Sequence, residues 1–194
     1  MKRIGITGGI GSGKTTITAV FKLLGVPVYD SDYRAKLIMN TNPELKKKIV
    51  MHFGAEVLHA DKTINNRYLA SRVFQDRSEL ATLNQLVHPA VAADFIVWVS
   101  LQQAELVMQE AALIFESGFD KKLDAVIVVD APKELRIQRV MLRNGMSREE
   151  VESRIGNQLD ESELRARANW ILYNDEKQLV IPQILSILEK MKSA

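Results

Sequence analysis

The chain has 194 residues, 46% hydrophobic and 26% charged, which predicts one ordinary globular domain, since domains run to about 100–200 residues. No cysteine is present, which excludes a disulfide scaffold, a thiol nucleophile and a thiolate zinc site, and three scattered histidines argue against a His-only metal cage. With 26 basic and 24 acidic residues the formal charge is +2, too balanced for a polybasic nucleic-acid binder, though a local basic site is compatible with it.

Residues 3–7 form a β-prone run, preceded by two residues and no long apolar stretch, so the N-terminus reads as mature sequence entering a strand. A glycine cluster and a helix at 14–24 follow, then a short strand at 26–29. Helices are predicted at 31–40 and 44–53, the second with Pro43 in its first turn. Two more are predicted at 67–74 and 78–87, and Pro89 opens a longer one reaching about 104. Apolar runs at 111–115 and 125–129 have strand length and end at an acid or turn residue. Helices at 132–144, 148–159 and 178–192, with a short strand at 170–173, complete the pattern.

Strands separated by helices predict an α/β fold, with five parallel strands covered on both faces. The stretch from about 40 to 108 holds only helices. It is too long for one crossover and is predicted as a helical insertion within the single domain 1–194. No uncharged apolar run approaches the ~20 residues of a membrane helix, so no membrane association is expected. An intracellular, cytoplasmic location is the matching expectation.

The strongest motif is Gly8-Gly9-Ile10-Gly11-Ser12-Gly13-Lys14-Thr15, which fits G-x-x-x-x-G-K-[ST]. Glycines let the backbone curl so that its N–H groups face phosphate oxygens. Lys14 can then reach the outer phosphates, and Thr15 can hold Mg²⁺ through its hydroxyl. The helix that opens there adds its positive end. A chance match in a chain of this size is roughly one in a hundred, and the strand-before, helix-after context lowers that further.

Asp30-Ser31-Asp32 lies just past the second predicted strand, where carboxyl ends of parallel strands face the ligand crevice. A carboxylate there can take a proton from a hydroxyl or hold a metal through water; a helix-capping role for Ser31 or Asp32 is the alternative. Glu116 is predicted to end the third strand and Asp130 the fourth, each either functional or a simple strand-end acid. Asp130 suits a Walker B acid or a helix cap equally well. Arg136, Arg139 and Arg143 share one helix face by their spacings of three and four. Asn144-Gly145 then breaks the helix, and Ser147 with Glu150 looks like a capping box. This arrangement suits a mobile lid at about 134–160 that clamps phosphate. His88, alone before Pro89, reads more readily as structural on its own.

Taken together, the sequence resembles the dephospho-CoA kinase family. The carriers are the segment from Ile6 to Thr15, Asp30-Ser31-Asp32, His88-Pro89, Leu113-Ile114-Phe115-Glu116, Arg139 and Arg143, Arg154-Ile155-Gly156-Asn157-Gln158, and Ile171-Leu172-Tyr173-Asn174-Asp175. They occur in the family's order over nearly the whole chain. The resemblance implies a P-loop kinase that uses ATP and Mg²⁺ to phosphorylate the ribose 3′-hydroxyl of dephospho-CoA, the last step of coenzyme A synthesis. It implies that Gly11, Ser12, Gly13, Lys14, Thr15 and Thr16 hold the ATP phosphates. Asp32 would be the base, with Asp30 near metal and substrate and Thr15 on the metal. His88 and Glu116 would belong to the acceptor side, Arg139 and Arg143 to the lid, and Asn174 to the adenine region. The helices from about 40 to 108 would bind the CoA part.

Four positions depart from the family pattern. Ser31 replaces an alanine, Ala112 a proline, Arg136 a glutamine and Asn169 an acid. The residues alone leave other nucleoside or nucleotide kinases of the same fold open, because they share loop, aspartate and lid. A GTPase switch would want Asn-Lys-x-Asp, and none is present. A nucleic-acid motor would want a basic stripe. A monomer acting on a small molecule is the default expectation.

Overall fold

The computed structural model describes residues 1–193, with the side chains at 74, 75, 77, 192 and 193 left aside. Five strands, β1 (Lys2–Thr7), β2 (Val28–Asp30), β3 (Leu106–Glu110), β4 (Ala125–Asp130) and β5 (Trp170–Tyr173), form one parallel sheet in the order β2-β3-β1-β4-β5. Alternation along the strands sorts their side chains between two faces. Ile4, Ile6, Met108, Ile127, Val129 and Leu172 turn to one face and pack against Ile17 and Phe21 of α1 (Lys14–Leu23). Val126 and Val128 turn to the other and meet Ile114, Phe115 and Leu164. β4 is buried on both faces, as a central parallel strand must be. The chain forms two compact units, Met1–Asp30 with Gln102–Ala194, and Ser31–Leu101.

The first unit also carries α6 (Lys133–Asn144), α7 (Arg148–Ile155), α8 (Glu161–Arg167) and α9 (Val180–Ser193). Ser147 and Glu150 form the anticipated capping box at the start of α7. Gly145, at φ 63°, ends α6 in the left-handed conformation that glycine adopts without steric cost.

The second unit holds α2 (Ser31–Thr41), α3 (Pro43–Phe53), α4 (Asn66–Gln75) and α5 (Arg77–Ser100). Asn42 caps α3 by accepting the Leu45 N–H at 3.0 Å, and Pro43 fills the first position, where its missing N–H costs nothing. α5 packs on α2, α3 and α4. Among the described residues it is the helix long and apolar enough to cross a membrane, by length and composition alone. Its Asp94 forks onto Arg34 of α2.

Four sequence expectations need correction. The third strand is Leu106–Glu110, not 111–115. Both are short runs able to extend, but the first pairs with β1 and β2 in continuous register, while 111–118 folds into turns closed by Ser117 N–H to the Leu113 carbonyl. The helices expected at 78–87 and from Pro89 to about 104 are one helix, α5. An interior proline costs about 3 kcal/mol. The buried stripe Val87, Val91, Phe95 and Val99 outweighs it, each side chain contributing about 1.5–3 kcal/mol. The helix expected at 148–159 stops at Ile155 and is followed, after Gly156, by the separate α8. The helical unit begins at Ser31 and ends at Leu101 rather than spanning 40–108, so it takes in α2.

Candidate active site

The link from β1 to α1 is built from residues that no bulkier set would allow. Gly11 and Gly13 have φ of 80° and 94°, and a Cβ on either would strike the Arg136 carbonyl or the Asn174 amide. Lys14 folds back over the loop, its Nζ donating to the Gly8 carbonyl at 2.7 Å. Gly13, the residue before α1, has no side chain to cap the helix, so the positive helix end there suits an anion. The Ser12 hydroxyl oxygen is buried with no hydrogen-bond partner among the described residues. Thr15 and Thr16 stand exposed on the first turn.

Beneath Thr15 lies Glu110, the last residue of β3 and 7% exposed. Its carboxylate accepts the Thr15 hydroxyl at 2.9 Å and the Thr18 hydroxyl at 2.7 Å. Asp30 ends β2 in register with Glu110, so the two carboxylate residues stand side by side at the carboxyl edge of the sheet. The sequence pattern places the third strand five residues too late, which hides Glu110. In the sequence the signal is a Gln109-Glu110 pair closing the short apolar run Leu106-Val107-Met108.

Asp130 does not cap α6. Its side chain receives a fork from Arg165 at 3.0 and 3.1 Å. Glu116 is not at a strand end; it is exposed and accepts the Leu159 N–H at 3.0 Å.

The three arginines of α6 do not share one environment. Arg136 is 2% exposed and turns under the phosphate loop, pairing with Glu161 and donating to the Ala131 and Ile10 carbonyls. Arg139 is half-buried and donates to the Asn174 carbonyl at 3.1 Å and to Glu176 at 3.0 Å. Arg143 is exposed and reaches its neighbour Asn144. Nor is α6 loosely held: Ile137 and Val140 form a buried cluster with Val151, against which Ile10 packs. Arg136, expected to share a helix face with Arg139 and Arg143, is thus buried beneath the loop and parts from them in environment.

Asn174, just after β5, donates to the Ser12 carbonyl at 2.8 Å. Its loop is fixed by Asp175, whose carboxyl is held down to about 2 by the N–H groups of Gln178 and Lys177 and by the Gln178 amide. Asn169 uses its side chain to accept the Val126 N–H at 2.8 Å, extending the β4–β5 ladder. Gln158, unassigned in the sequence, accepts the Ile10 N–H at 2.7 Å.

In the second unit, Asp32 is exposed on the first turn of α2 and His88 is half-buried in α5. Burial holds the His88 imidazole below its ordinary pKa, because a charged ring loses its water there.

Among the described residues no three His, Asp or Glu side chains cluster to cage a metal. Hard oxygen ligands are nevertheless at hand in Thr15, Asp30 and Glu110, a set that suits a Mg²⁺ ion shared with substrate phosphates.

A family model described as dephospho-CoA kinase matches residues 2–179. A Bacteroides fragilis dephospho-CoA kinase is 36% identical over 187 residues, 96% of this chain and 91% of that one. Among solved structures, a Thermus thermophilus protein is 36% identical with a TM-score of 0.84, covering 99% of this chain and 96% of its own. A Campylobacter jejuni dephospho-CoA kinase is 26% identical with a TM-score of 0.71, covering 98% of each.

Proposed function

The chain belongs to the dephospho-CoA kinase family, and from that premise we propose how its own residues serve the reaction. It is an ATP-dependent kinase that phosphorylates dephospho-CoA to give coenzyme A. Phosphoryl transfer asks little covalent chemistry of the protein, so positioning and charge neutralisation do most of the work.

Gly11 to Thr16 cradle the ATP phosphates through backbone N–H groups, the Ser12 and Thr16 hydroxyls and the Lys14 ammonium. Asn174 lies toward the adenine. The observation that carries this reading is the Glu110–Thr15 bond at the uncapped start of α1, which sets a hydroxyl and an acid beside an anion cradle. Thr15, with Asp30 and Glu110, would hold Mg²⁺. When bound, that ion neutralises charge on the transferring phosphoryl oxygens. Asp32 takes the proton of the ribose 3′-hydroxyl as its oxygen attacks. His88 and the helical unit 31–101 bind the acceptor. Arg139 exchanges Glu176 for phosphate, and Arg143 joins it when the segment from α6 to α7 closes over ATP. Glu116 serves this site indirectly, through the Leu159 N–H beside Gln158. We assign the reaction to the cytoplasm and the monomer as its working unit.

The test is a panel of acceptors with ATP, following ADP release: dephospho-CoA, pantetheine, adenosine and common nucleoside monophosphates. Dephospho-CoA should give the highest kcat/KM. A nucleoside monophosphate turned over faster would favour the rival reading as a general nucleotide kinase.

A further inference from the structure

Ile10 sits within the phosphate loop, and both polar groups of its backbone are taken by side chains from outside that loop. Gln158 accepts its N–H at 2.7 Å while donating to the Ala112 carbonyl at 3.4 Å. Arg136 Nη1 donates to its carbonyl at 3.3 Å, and Nε donates to the Ala131 carbonyl at 3.1 Å. The third nitrogen of Arg136 pairs with Glu161. Glu161 also faces Arg165 at 3.5 Å, and Arg165 forks onto Asp130. The Asp130 carbonyl accepts the Asn174 N–H at 2.8 Å, and Asn174 returns to the loop at the Ser12 carbonyl. The loop is thus enclosed by a ring of bonded groups.

We propose that Arg136, Gln158 and Glu161 are positioning residues for ATP: they fix the Ile10 backbone so that the loop's N–H groups keep their inward aim. This rests on the assignment of the loop to ATP above. The loop is cut to fit Arg136, since a Cβ on Gly9 would strike its guanidinium and one on Gly11 its carbonyl. A guanidinium this deeply buried is costly to leave without an opposite charge, and Glu161 supplies one. The two partners are not equivalent. Glu161 is one-third exposed and has Arg165 as a second cation, so it tolerates loss of Arg136 better than Arg136 tolerates loss of Glu161.

The experiment compares wild type with Glu161→Gln, Arg136→Gln, the double variant and Gln158→Leu. It measures KM for each substrate, ATP affinity by calorimetry and the thermal midpoint. Glu161→Gln should raise KM and Kd for ATP about tenfold while KM for dephospho-CoA moves less than about twofold. The neutral double variant should recover at least about threefold of that loss, and Gln158→Leu should weaken ATP in the same direction. Lowered midpoints with unchanged ATP affinity in all variants would overturn the proposal. So would a double variant no better than Glu161→Gln. If Glu161→Gln does not fold, unchanged ATP affinity in both the double variant and Gln158→Leu overturns it equally. Wild type that binds ATP but leaves dephospho-CoA unphosphorylated would instead count against the proposed function, and the affinity comparison would still read the clamp.

Discussion

Lys14 brings a point charge to a loop whose other contacts are backbone N–H groups and hydroxyls. Its ammonium rests on the Gly8 carbonyl, a bond readily exchanged for a phosphate oxygen that carries a full charge. Lys14→Ala should lower kcat by about 10²–10³ with the fold intact, measured by ADP release and circular dichroism. A folded variant with near-normal kcat would end the phosphate-loop assignment. Glu110 raises a different expectation. Its carboxylate holds two hydroxyls of α1, and Glu110→Gln keeps the shape while losing the charge. The variant should need several-fold more Mg²⁺ for half-maximal rate, about 1 kcal/mol of lost metal interaction. An unchanged Mg²⁺ titration would leave Glu110 as packing support for Thr15 and Thr18 alone.

At the scale of elements, α6 has two ends with different lives. Its inner face is already buried: Ile137 and Val140 pack with Val151 of α7. Its far end is not, with Leu142 91% exposed and Arg143 in solvent. Closure over ATP should therefore appear as increased amide protection from about Met141 through α7, with little change at Ile137 and Val140. Hydrogen exchange with and without a non-hydrolysable ATP analogue reads this. No gain anywhere across residues 136–159 at saturating analogue would leave Arg139 and Arg143 without a lid role. This division was invisible in the sequence, where spacings of three and four put Arg136, Arg139 and Arg143 on one stripe. Helical periodicity tells which residues share a face, not that a guanidinium at one end of it will find a carboxylate from a helix 25 residues on. Glu161 itself was hidden because α8 has seven polar-rich residues, too few to show a period. By contrast β5 and the capping box of α7 were legible to the residue, because each rests on chemistry local to a few positions. The phosphate loop was legible for the same reason. Glu110 was not, because two adjacent runs of strand length compete, and only pairing with β1 and β2 decides between them.

For the molecule as a whole, His88 links stability to pH. Burial lowers its pKa in the folded state, so the unfolded chain binds more protons as pH falls past the ordinary histidine value near 6.5. Its contribution is complete above that value and is lost on acidification toward the folded value. Urea unfolding from pH 8 to pH 5.5 should show wild type losing more stability than His88→Gln over the acid half of the range. Equal slopes would mean that His88 is as well solvated in the fold as out of it. The strand order carries a different consequence. β2 and β3 are hydrogen-bonded neighbours, and everything between Asp30 and Gln102 is a single excursion of the chain from one to the other. The nucleotide-handling sheet is therefore interrupted at one place only between these two strands. Replacing that segment between Asp30 and Gln102 would leave the pairing partners of every strand as they are. On the proposed assignment of that unit to the acceptor, exchanging it would alter acceptor choice and leave the phosphate loop and its sheet intact.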